Sequence, residues 1–212
     1  MQKKTGLALL ILALSVCPGA AQSTVNYGAM LGQPNIFYDG SLIPNGNQVR
    51  IGFFNPAFDV SAHLFDLVTM GASWNNYGDT VTRSLFNESG RFSDTDYLSA
   101  ETTLFDNQPI WLWILKTSDN SLPSVDFANV TGYGLFSSSL ESWKFPPYSA
   151  MLGLDTTSVY SSEVNQALFG SFDPDHLYLA AVPEPHTGLL LVIGTGVFWA
   201  VWRRRAGKQT LA

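Results

Sequence analysis

Six consecutive apolar residues, Ile110-Trp111-Leu112-Trp113-Ile114-Leu115, constrain the fold of this chain more than any other stretch. Side chains alternate between the two faces of a strand, so Ile110, Leu112 and Ile114 point one way and Trp111, Trp113 and Leu115 the other. A strand that is apolar on both faces must be covered on both. This predicts a central strand with packed layers above and below it.

The rest of the chain reads mainly as β. Residues 48–54 follow the turn-rich Pro44-Asn45-Gly46-Asn47, as a strand after a tight turn should. Residues 36–38, 81–86, 97–105, 132–136 and 151–154 and the triplet Leu177-Tyr178-Leu179 are further strand candidates. Gly, Pro, Asn, Asp and Ser separate them at intervals that suit an antiparallel sandwich or small barrel. One segment differs. Across residues 57–70, Phe58, Ala62, Phe65 and Met70 recur near helical spacing, with Pro56 at the start and Gly71 after the end. One amphipathic helix is expected there, covering an open end or edge of the sheet. The Ser/Thr runs Thr156-Thr157-Ser158 and Ser161-Ser162 are too short to be a linker, and there is no internal repeat.

Both ends stand apart from this body. Lys3-Lys4, the apolar residues 7–16 and Gly19-Ala20-Ala21 have the order of a secretory signal peptide. Cleavage is expected after Ala21, leaving Gln22 first. At the other end, Pro183 and Pro185 keep 182–185 extended, as a protease substrate should be. Sixteen uncharged residues follow, 187–202, and then Arg203, Arg204 and Arg205. A bilayer is normally crossed by roughly 20 helical residues. The span is therefore short, and Gly188, Gly194 and Gly196 weaken its helix. Trp199 and Trp202 suit the headgroup interface, and the three arginines would stop transfer on the cytoplasmic side. The expectation is a C-terminal transmembrane helix.

A Val182-Pro183-Glu184-Pro185 motif, one short hydrophobic span and a tight basic cluster, in that order, resemble the PEP-CTERM sorting signal of Gram-negative bacteria. The resemblance covers 182–208. It implies export, an intermediate held in the inner membrane, and processing by an exosortase, an integral-membrane cysteine protease or transpeptidase. The organisation it implies is a signal peptide (1–21), an exported β-rich domain (22–181) and a sorting signal (182–208). The body also resembles other exported PEP-CTERM proteins. The likeness runs from Gly40 through Gly46 to Val49-Arg50-Ile51-Gly52-Phe53, at Trp111-Leu112-Trp113-Ile114, and at Trp143-Lys144-Phe145-Pro146 after Tyr133-Gly134-Leu135-Phe136. This implies a β-rich domain and carries no active site with it.

Composition narrows the chemistry. Between residues 22 and 182 stand five basic residues (Arg50, Arg83, Arg91, Lys116, Lys144) against sixteen acidic ones, a net charge of −11 where the whole chain has −6. Such a body repels nucleic acid and anionic lipid. The one cysteine, Cys17, lies in the expected signal peptide, so the mature protein would hold no disulfide, thiolate metal site or thiol nucleophile. His63 has no second histidine at helical spacing to complete a zinc pair. His176 closes Asp173-Pro174-Asp175-His176, which reads as a polar turn before a strand. The acidic groupings Asp94-Thr95-Asp96 with Glu101, and Asp119 with Asp126, read as solvated loops. No G-x-S-x-G elbow is present, since Asn75 stands where the second glycine after Gly71-Ala72-Ser73 belongs.

Trp74 and Tyr77, flanking Asn75 and Asn76, and Trp143 near Phe145 are of the residue types that stack on sugar rings, and equally of the types that plug the ends of a sandwich core. The expected function is an exported, non-enzymatic cell-surface or extracellular-matrix protein without cofactor or metal. Its partners would be exosortase, transiently the inner membrane, and extracellular polysaccharide, with no nucleic acid. A carbohydrate-binding module and a polysaccharide-acting enzyme are the alternatives.

Overall fold

The structure, a computed structural model, describes residues 23–29, 36–78, 84–85, 89–98, 102–147 and 155–183. In chain order its strands are β1 (Ser23–Gly28), β2 (Ile36–Tyr38), β3 (Ser41–Leu42), β4 (Gln48–Phe54), β5 (Trp74–Asn76), β6 (Ser84–Leu85), β7 (Ser93–Leu98), β8 (Trp111–Thr117), β9 (Val130–Ser137), β10 (Asp155–Tyr160), β11 (Gln166–Phe169), β12 (Ser171–Phe172), β13 (Leu177–Tyr178) and β14 (Ala180–Ala181). Among the described residues one α-helix, α1, spans Leu67–Ser73. The central sheet runs β11-β9-β8-β4-β5, with β14 also on β9 and β6 also on β4. A second sheet has the order β10-β1-β7 and a third β12-β13-β2-β3. The fold is mainly β with a sandwich-like arrangement.

β8 occupies the middle of the central sheet and is covered on both faces, as its sequence requires. Leu112 and Ile114 join Val49, Ile51 and Phe53 of β4 in one core, which is closed by Val25 and Tyr27 of β1 and Val159 of β10. Trp113 and Leu115 face the opposite way and pack with Phe54, Tyr133, Leu135, Leu67 and Met70. Arg50 lies directly opposite Trp113 in the β4–β8 ladder, and its guanidinium stacks 5.5 Å from that ring and 5.3 Å from Phe127. The charge stays half-exposed while the stem packs on the aromatic surface.

Several expectations are corrected. The helix is not continuous over 57–70. Asp59 caps a 3-10 turn at Val60–His63 by accepting from the amides of Ser61 (3.0 Å) and Ala62 (3.3 Å). Asp66 then caps α1 by accepting from Thr69 N–H at 3.1 Å. Two caps within one periodic stretch start two helical pieces. Gly71 is inside α1 rather than past it, and the Phe127 ring rests against it where a Cβ would fall 2.6 Å away. Through Leu67 and Met70, α1 covers a sheet face, not an open end, and it is β5 that flanks β4.

The sheets are also not purely antiparallel, since β1 pairs with β10 and β2 with β13 in parallel. The strand expected over 97–105 lies earlier, at Ser93–Leu98, and the Thr156-Thr157-Ser158 run is part of β10. The expected signal peptide (1–21), the strand candidate at 151–154, most of that at 81–86, the span 187–202, Glu184, Pro185, Arg203, Arg204 and Arg205 lie outside the described residues. Among the described residues no helix is long and apolar enough to cross a membrane.

Candidate functional site

The carboxyl end of the described chain is woven into the sheets. Leu177 and Tyr178 of β13 pair with Ile36 and Phe37, and the buried Leu179 donates its N–H to the Phe37 carbonyl at 2.9 Å. The chain then passes to the central sheet. Ala180 and Ala181 of β14 pair with Tyr133 and Gly132 of β9, and Val182 N–H donates to Thr131 O at 2.9 Å. The same carbonyl accepts the Tyr38 hydroxyl at 2.9 Å. Gly132 is required here, because a Cβ would lie 2.2 Å from the Tyr38 ring and 3.0 Å from Ala180 O. Val182 is half-buried against the core that holds Tyr133 and Phe169, whose rings stack at 4.1 Å. Pro183, the next residue, is exposed. Of the Val182-Pro183-Glu184-Pro185 stretch, Val182 therefore belongs to the folded body, while Pro183 is exposed.

The three aromatic candidates do not form a ligand platform. Tyr77 and Trp143 are both 0 % exposed. Tyr77 stacks on Phe145 at 4.6 Å and its hydroxyl lies 2.8 Å from Ser23 Oγ. Trp143 donates its indole N–H to Glu163 Oε2 at 3.0 Å. Enclosed rings present no face to a sugar, so these two are core residues. Trp74 is half-buried, lies over Gly52 and meets Trp113 edge-on at 5.2 Å. Next to it is an open groove of about 310 Å³ lined by Asn55, Ala57, Phe58, Ala72, Ser73 and Asn75.

Asp173, Asp119 and Asp126 are engaged in turns. Asp173 accepts from the amides of Asp175 (2.9 Å) and His176 (2.8 Å) and from the Tyr178 hydroxyl (2.8 Å), which makes 173–176 the polar turn its sequence indicates. Asp119 accepts from Ser121, and Asp126 from Ser124 and Ala128. These hydrogen bonds hold all three carboxyls below their ordinary range.

Asp96 corrects the reading of 94–96 as a solvated loop, because this part of the grouping is a strand and its second aspartate faces the core. It is 3 % exposed in the middle of β7, with Oδ2 accepting the Tyr27 hydroxyl at 2.9 Å and Oδ1 buried without a partner. Burial pushes its carboxyl up to about 6, and the neighbouring Asp94 adds to the rise. Burial also pushes the nearby Tyr77 hydroxyl up to about 12. Among the described residues no group of three or more His, Cys, Asp or Glu is placed to hold a metal ion. Comparison with known proteins finds no matching protein family, no similar curated protein and no similar solved structure.

Proposed function

We propose that this chain is an exported, non-enzymatic protein of the cell surface or extracellular matrix. Its precursor is held in the inner membrane by residues 187–202 and is processed by an exosortase at Pro183-Glu184-Pro185. The observation that carries this is the sequence order of the tail: a Pro-Glu-Pro motif, one uncharged span and three arginines within 183–205. The exposed position of Pro183 at the edge of the central sheet is compatible with access by a membrane enzyme. The strongly acidic body supports a partner other than nucleic acid.

Replacing Pro183, Glu184 and Pro185 together by alanine should make the anchored precursor accumulate in the native host. Intact mass and peptide mapping read the result. A wild-type chain starting at Gln22 and ending near Pro185 is expected, with any extra mass at that end identifying an acceptor. A chain that still carries Arg203-Arg204-Arg205, or unchanged processing of the triple variant, would sink the proposal.

The groove beside Trp74 favours a second reading, glycan binding, because amide side chains and an aromatic edge line it together. Phe58→Ala with Asn75→Ala should then abolish retardation in affinity electrophoresis through the producer's own polysaccharide. Unchanged migration of that double variant would remove this reading.

A further inference from the structure

The pairing of the residues just before the motif has a bearing on how the motif is reached, and this step rests on the sorting reading above. Val182 makes the last ladder hydrogen bond of β14, and the motif's first proline follows it directly. Only four residues, 183–186, separate Val182 from the start of the uncharged span. Fully extended, they bridge at most about 14 Å. A protease that binds its substrate as an extended strand needs free backbone on both sides of the bond it cuts. On the amino-terminal side that backbone is committed. Residues 177–178 pair with β2, 180–181 pair with β9, and Val182 donates to Thr131.

We propose that β14 is a latch, and that cleavage at the motif proceeds from a state in which 180–182 have peeled away from β9. The element is suited to local opening. It is two residues long, Ala181 is exposed, and Ala180 and Val182 are only half-buried, so it can open without the sheet unfolding. The upstream anchor, Leu179, is buried and marks where the peeling stops. The opening equilibrium of this one short strand then sets the processing rate.

The test uses full-length precursors in a host that carries the exosortase, with the rate of precursor disappearance as readout. Six Gly/Ser residues inserted between Val182 and Pro183 free the motif from the latch and should speed processing by about threefold or more. The same insertion at Val125, a fully exposed loop residue, should leave the rate at the wild-type value. Ala181→Thr changes no distance to the membrane but favours the strand, and should slow processing by about two- to fivefold. Equal rates in wild type, the 182/183 insertion and Ala181→Thr would overturn the latch while leaving the sorting reading intact. Absence of cleavage in every chain, wild type included, would overturn both.

Discussion

At Asp96 one carboxyl oxygen holds the Tyr27 hydroxyl and the other is enclosed without a partner. The folded protein therefore binds this proton more tightly than the unfolded chain does, with the carboxyl raised from 3.8 to about 6. Below pH 4 both states are protonated and the contribution to stability is fully present. From pH 4 to 6 the unfolded chain ionises first and stability falls. Above about pH 6 the loss is complete, at about 3 kcal/mol for a shift of roughly two units. Asp96→Asn keeps an acceptor for Tyr27 and cannot ionise. Urea unfolding between pH 4 and 8 should show wild type weakening while the variant stays flat. An equal decline in both would assign the pH dependence to other groups. Nothing in the Ser93–Leu98 sequence announces this site, because whether an aspartate in an alternating strand faces in or out depends on the register with β1.

Among the elements, those with strong side-chain patterns were legible. β4 has the bounds its sequence suggests, and β8 lies within two residues of its expected position and is buried on both faces. β1 and β10 were not legible, because Ser23 and Asn26 in one and Thr156, Thr157 and Ser158 in the other leave little apolar periodicity. Their stability comes from flanking strands and from Val25, Tyr27 and Val159. The helix was legible in type but not in extent, since Asp59 and Asp66 could be read as surface residues until each was seen accepting backbone amides.

Asp66→Ala removes the α1 cap and should cost about 1 kcal/mol, seen as roughly 2–4 °C in thermal unfolding. A variant with unchanged Tm would mean that tertiary contacts alone hold α1. Gly52→Ala acts on another element. Its Cβ would lie 2.2 Å from Asn75 O and 2.6 Å from the Trp74 ring, so β5 must shift away from β4. The expected loss is about 1–3 kcal/mol with red-shifted tryptophan emission. Wild-type emission and stability would refute that close approach. Of the candidate site, the Pro-Glu-Pro motif is plain in the sequence. The attachment of the preceding residues 180–182 to β9 is not, because that depends on Gly132, Tyr38 and Thr131 meeting across sheets.

At the scale of the whole molecule, the described strand nearest the amino end lies in the middle of a sheet. β1 is flanked by β7 and β10, and the contact from Asn26 to Ser158 spans 132 residues. Folding dominated by such distant pairings is slow. A chain ending at residue 147 leaves one side of β1 and the core wall at Val159 unfilled. It should lack the near-ultraviolet circular dichroism of the complete domain, and a native-like spectrum would show that β10 is dispensable. On the export reading, the placement of β1 also sets an order of events. This strand would cross the membrane first, yet its parallel neighbour β10 would be among the last parts to emerge, so the β1–β10 pairing would form only late in the crossing. The carboxyl junction is the reverse, since β14 finds β9 already outside. On that reading the amino-terminal cut would come before β1 is fully paired, and the carboxyl-terminal cut after β14 has joined β9.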